Sequence, residues 1–102
     1  MTDYEQKYET LLKEKILEVF GHTRAKIFLF GSRATGQARR GSDADIGIES
    51  MDAETFRKLK IQFDAFWEDS NIPFRVELVH FDTAGEEFKK QALKDRVIWK
   101  EG

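Results

Sequence analysis

The chain has 102 residues, 17 basic and 19 acidic, with a formal net charge of -2 and no cysteine. That length suits one compact domain spanning residues 1–102 and is too short for two, and nine phenylalanines with two tryptophans can furnish its core. The near-balanced charge provides no overall basic field for non-specific duplex binding, and the lack of cysteine excludes disulfides, thiolate metal sites and a cysteine nucleophile.

Residues 3–20 read as a helix, because Tyr4, Tyr8, Leu11, Leu12, Ile16, Val19 and Phe20 recur at helical spacing and Gly21 supplies a stop. Residues 25–30, AKIFLF, form a continuous apolar run, the pattern of a central strand covered on both faces. Residues 31–42, GSRATGQARRGS, hold three glycines and three arginines and read as a loop with room for one helical turn. Residues 43–49 alternate: Asp43, Asp45, Gly47 and Glu49 on one face, Ala44, Ile46 and Ile48 on the other.

Asp52 is placed to cap the next helix, with Glu54 in its first turn and Phe56, Leu59, Phe63, Phe66 and Trp67 forming its apolar stripe to about residue 68. The stretch DSNIP breaks the pattern, and residues 74–81, FRVELVHF, read as a third strand containing Glu77. Thr83 and Glu86 have the spacing of a capping box that opens a last helix near residues 84–95. The expected order is α-β-(loop)-β-α-β-α, an α+β (α/β) arrangement. The charged start MTDYEQKYE lacks the apolar core of a signal peptide, and no apolar run approaches membrane-spanning length. A cytoplasmic location without membrane partners is expected.

The two aspartates raise a physical question. Residues two apart on a strand share a face. Ionised carboxylates about 6 Å apart repel by roughly 3 kcal/mol at an effective dielectric near 20. Full solvation, neutralisation by Arg33, Arg39 or Arg40, or a divalent cation between the oxygens would each relieve that repulsion. Magnesium takes one or two carboxylates together with substrate phosphates. Gly31 allows close main-chain approach to a phosphate, and Ser32 offers a hydroxyl and an N–H. Singly, a D-x-D or a Gly-Ser is weak evidence; an apolar strand, Gly-Ser, a ten-residue gap and D-x-D together are stronger.

The stretch GSRATGQARRGSDADIGI resembles the signature of the DNA polymerase beta-like nucleotidyltransferase superfamily, and is similar in particular to the minimal nucleotidyltransferase (MNT) family. The resemblance implies a nucleotidyltransferase fold, with a small mixed three-stranded sheet packed with helices. It implies that Gly31 and Ser32 grip the phosphates of a nucleoside triphosphate, with Arg33 the first arginine assigned to them. Asp43 and Asp45 become ligands of Mg2+, two ions in all. Glu77 completes the catalytic and metal-binding set where family members often carry aspartate.

The implied reaction is transfer of a nucleoside monophosphate, AMP from ATP, onto a hydroxyl. Larger relatives add a helical domain that shapes the acceptor pocket, so another copy, a partner or a macromolecular substrate is expected to complete this one as a homo- or hetero-oligomer. MNT proteins are often paired with a HEPN-domain protein, some as toxin–antitoxin systems, which makes a HEPN protein the expected partner and acceptor. The alternative is a non-catalytic nucleotide- or partner-binding module that neutralises a HEPN protein by contact.

Overall fold

In the computed structural model, residues 3–39 and 41–102 are described. The elements are α1 (Asp3–Phe20), β1 (Lys26–Phe30), α2 (Ser32–Thr35), β2 (Ala44–Glu49), α3 (Ala53–Glu68), β3 (Val76–His80), a 3-10 turn (Phe81–Thr83), α4 (Glu86–Ala92) and β4 (Val97–Lys100). The sheet has four strands in the order β3-β2-β1-β4. β1 is antiparallel to both β2 and β4, whereas β2 and β3, joined through α3, run parallel.

The expected three-stranded sheet is therefore one strand short. Val97–Lys100 is a four-residue edge strand with only partial burial, and so short a run carries little period-2 signal. The expected capping box does not form either. Gly85 is the N-cap of α4 and no side chain caps it, while Thr83 lies in the preceding turn, its hydroxyl bonded to the His80 carbonyl. The last helix is accordingly seven residues rather than the twelve of 84–95.

Strand alternation sorts the side chains onto two faces. Ile27 and Leu29 of β1 lie opposite Ile48 and Ile46 of β2. With Ala44 and Leu78 they pack against Leu12, Ile16 and Phe20 of α1 and Phe63 of α3 in the larger core. Burying such aliphatic or phenylalanine side chains contributes roughly 1.5–3 kcal/mol each. Asp52 caps α3 as expected, its carboxylate accepting the Thr55 N–H at 2.9 Å, a bond that holds the Asp52 pKa below its ordinary value.

The opposite face carries a smaller cluster. Phe28 and Phe30 of β1 meet Phe81 and Ala92, with Phe28 and Phe81 edge to face at 4.8 Å. Gly47 lies opposite Phe28, and a Cβ there would run into the Phe28 and Phe81 rings. Asp82 ties the far ends of β2 and β3 together. Its carboxylate accepts the N–H groups of Ser50 and Met51 at 3.1 and 2.9 Å, and the neighbouring His80 ring bonds the Met51 carbonyl.

Candidate active site

Asp45 stands opposite Phe30 in the antiparallel pairing and opposite Glu77 in the parallel pairing. Directly paired residues share a face, so Asp45 and Glu77 both project away from α1 and α3, and Asp43 lies just before β2, close enough for its charge to act on Asp45. β1 ends at Phe30, which brings Gly31 beside Asp45. A Cβ on Gly31 would stand 2.5 Å from Asp45 Oδ2, and its φ of +77° is one that side chains disfavour. The conformation favours glycine here, and any side chain would also displace the Asp45 carboxylate.

The electrostatics follow from this crowding. Asp43 and Glu77 are exposed, while Asp45 is half-buried between them. Burial first, then the Glu77 and Asp43 charges, push the Asp45 pKa up to about 6. A cation against these oxygens would relieve both desolvation and repulsion. All the donors are hard oxygens, the ligand type of Mg2+. Among the described residues, no group of three or more acidic or histidine side chains is placed to hold a metal ion, so any cation here would rest on one or two carboxylates. Open carboxylates fit an ion that completes its shell with substrate oxygens and water.

Arg33 departs from its expected role. The sequence assigned it to the triphosphate because it adjoins Gly31–Ser32. Its side chain is instead fully buried, paired with Glu5 at 2.7 Å and Glu9 at 3.4 Å and stacked 4.0 Å from the centre of the Phe74 ring. Consecutive residues on a helix diverge by about 100°, so Arg33 turns toward α1 when it enters α2 directly after Ser32. Arg39 is exposed, and Arg40 lies outside the described residues.

Sequence reasoning missed two features of the surroundings. A cavity of about 320 Å³ opens beside Gly31 and Thr35, walled by Phe88 and Gln91 of α4 and by Lys94 and Asp95 beyond it. A second, also about 320 Å³, lies beside Asp43 and Glu77 and brings Lys60 and Arg75 near them. Surface lysines and arginines carry no sequence signal separating those beside a site from any others; only the packing of α4 and β3 reveals them. His80 faces away from Glu77 along β3, as the alternation predicts.

Comparison with known proteins bears on the family and the fold. The family Polymerase beta, Nucleotidyltransferase matches residues 8–101. A Haemophilus influenzae protein named as a probable protein adenylyltransferase, MntA, is 35% identical over 75 residues, 74% of this chain and 65% of that relative. Among solved structures, a toxin–antitoxin with AMP-PNP aligns with a TM-score of 0.64 at 21% identity, covering 88% of this chain and 73% of the other. A tri-AMPylated Shewanella oneidensis HEPN toxin in complex with MNT antitoxin aligns at 0.62 and 18% identity, covering 91% and 72%. These structural likenesses establish the shared fold. No helix among the described residues is long and apolar enough to cross a membrane. With a family match running over nearly its whole length, the chain belongs to the polymerase beta nucleotidyltransferase family.

Proposed function

We propose that this domain is a Mg2+-dependent nucleotidyltransferase that moves AMP from ATP onto a hydroxyl of a HEPN-type partner protein, as the antitoxin-type member of such a pair. The observation that carries the reading is the pairing of Asp45 with Glu77 across β2 and β3, with the Gly31 main chain against Asp45. Likeness to an adenylyltransferase and to MNT antitoxins solved with HEPN toxins supports the choice of nucleotide and acceptor.

In this reading Asp43 and Asp45 hold the cation, with Glu77 beside them. Bound Mg2+ supplies charge neutralisation at the phosphates and stabilises the entering and leaving oxygens. Gly31 admits the phosphates to the main chain, and Ser32 offers them its hydroxyl and N–H. Lys94, which lines the cavity beside Gly31, replaces Arg33 as a candidate cation for the triphosphate. The acceptor oxygen attacks the α-phosphorus as the bond to the bridging oxygen breaks and pyrophosphate leaves. Glu77 takes the hydroxyl proton. Little is asked of the protein beyond position and charge.

The test is transfer of label from α-labelled ATP to a purified HEPN partner in Mg2+. Asp45→Asn should remain folded by circular dichroism and lose transfer by at least about 10²-fold. Equal labelling by the wild type and the variant would overturn the reading. A wild type that binds and inhibits its partner without labelling it would instead favour a contact-only module.

A further inference from the structure

Arg33 and Glu5 form a charge pair sealed from water, with side chains 0% and 2% exposed. Neither group faces the acidic side of the sheet. Buried ion pairs are poor stabilisers, because desolvating both charges offsets most of their attraction, and apolar replacements of similar volume are often neutral or better. Besides the Arg33 contacts with Glu9 and Phe74, two main-chain bonds of the pair point to another use. Arg33 Nε donates to the Ser42 carbonyl at 2.9 Å, and Glu5 Oε2 accepts the Gly41 N–H at 2.7 Å. Two successive residues immediately before Asp43 are thus gripped through their main chain.

The segment so held has little structure of its own. Residues 37–43 contain no helix or strand among those described, and Gly41 adopts a φ of +85°. Its own hydrogen bonds are local: Ser42 N–H to the Arg39 carbonyl at 2.9 Å and Arg39 N–H to the Ser42 hydroxyl at 2.8 Å. Arg33 follows Ser32 in α2, so its side chain is a strut from the Gly31–Ser32 turn to the entrance of β2.

We propose that Arg33 and Glu5 are positioning residues for nucleotidyl transfer, setting where Asp43 stands relative to the Gly31–Ser32 turn. The inference rests on the reading of the domain as a nucleotidyltransferase. It assigns a purpose to a charge pair that stability alone does not require, and it makes α1 part of the architecture of the site.

The test uses the full chain with the double substitution Glu5→Leu and Arg33→Met, which removes both buried charges and leaves only the partly exposed Glu9. Three quantities are read: exchange of the Gly41 amide by NMR, Mn2+ affinity by calorimetry, and kcat and KM for ATP with the partner protein. The fold should persist, with Gly41 exchange faster and Mn2+ affinity about 10–100-fold weaker, the range for lost support of a metal ligand. A similar fall in kcat, with KM moving less than about threefold, marks misplacement of reacting groups rather than loss of binding. A folded variant with wild-type Mn2+ affinity and wild-type kcat overturns the proposal. Should the double variant not fold, the same three quantities are measured on Glu5→Gln, where weakened Mn2+ affinity supports the positioning role and wild-type values overturn it. If the wild type labels no partner, the functional reading fails on its own, and Gly41 exchange with Mn2+ affinity still decides the positioning role.

Discussion

The two faces of the sheet are built on opposite terms. Under α1 and α3, Ile27, Leu29, Ile46, Ile48 and Phe63 are 2% exposed or less and closely packed. On the other face α4 covers only the phenylalanine end, leaving Asp43 and Glu77 exposed around a half-buried Asp45. One face lowers the free energy of the fold throughout; the other does so at its phenylalanine cluster and raises it where like charges crowd Asp45. Stability and chemistry are thus segregated across one thickness of sheet, so substitutions on the two sides should fail in different ways.

The sharpest break is expected on the covered face. Phe63→Ala removes a 1% exposed ring from the larger core and should lower stability by about 3–5 kcal/mol. At roughly 4–8 °C per kcal/mol for a domain of this size, calorimetry should find the melting temperature depressed by well over 10 °C. An unchanged melting temperature would show that this face does not carry the fold. On the acidic face, Glu77→Gln should leave melting nearly untouched, because Glu77 is exposed, yet lower the rate of AMP transfer by about 10²-fold or more. Rapid-quench kinetics checks this, and a wild-type rate would remove Glu77 from the reaction.

The smallest effect tests whether the acidic face opposes folding. The folded-state pKa of Asp45 is about 6, above its ordinary 3.8, so between those values the native state binds more protons than the unfolded one. The contribution of Asp45 is therefore fully present below the unfolded value and is lost as pH rises through about 6. Without divalent cation, Asp45→Asn should be more stable than the wild type at pH 8 by about 1 kcal/mol, after allowing for solvent screening. The gap should close as the solution is acidified. Adding Mg2+ should reverse the order, since a ligand held at ten times its Kd stabilises the protein that binds it by about 1.4 kcal/mol. Denaturant melts at two pH values, with and without Mg2+, decide both points.

Much of this contrast is legible in the residues, because alternation and helical spacing report which face is buried. Ile46 and Ile48 read as inward and Asp43 and Asp45 as outward from the period of β2 alone, and AKIFLF reads as central because both its faces are apolar. Glu77 could be nominated as the acidic residue within an apolar run, although its alignment with Asp45 depends on the parallel pairing. Side-chain direction in the loop was not legible. Adjacency suggested that Arg33 would serve the phosphates, but a partner 28 positions away on α1 draws it inward. β4 escaped because four residues are too few to display a period, and Lys94 because an isolated surface cation resembles every other. Local pattern determines the faces; long-range pairing decides which charges meet.

The Asp82 knot has a consequence for this division. β2 and β3 are parallel and joined through a helix, so no tight hairpin fixes their offset. A slip of one residue would carry Glu77 to the helix side and Leu78 out among the aspartates. By fastening Ser50 and Met51 to the turn that follows β3, Asp82 works as a stop at the far end of the strands. Loss of this remote carboxylate would therefore be felt at the opposite end of the sheet, where the alignment of Glu77 with Asp45 depends on the register it holds.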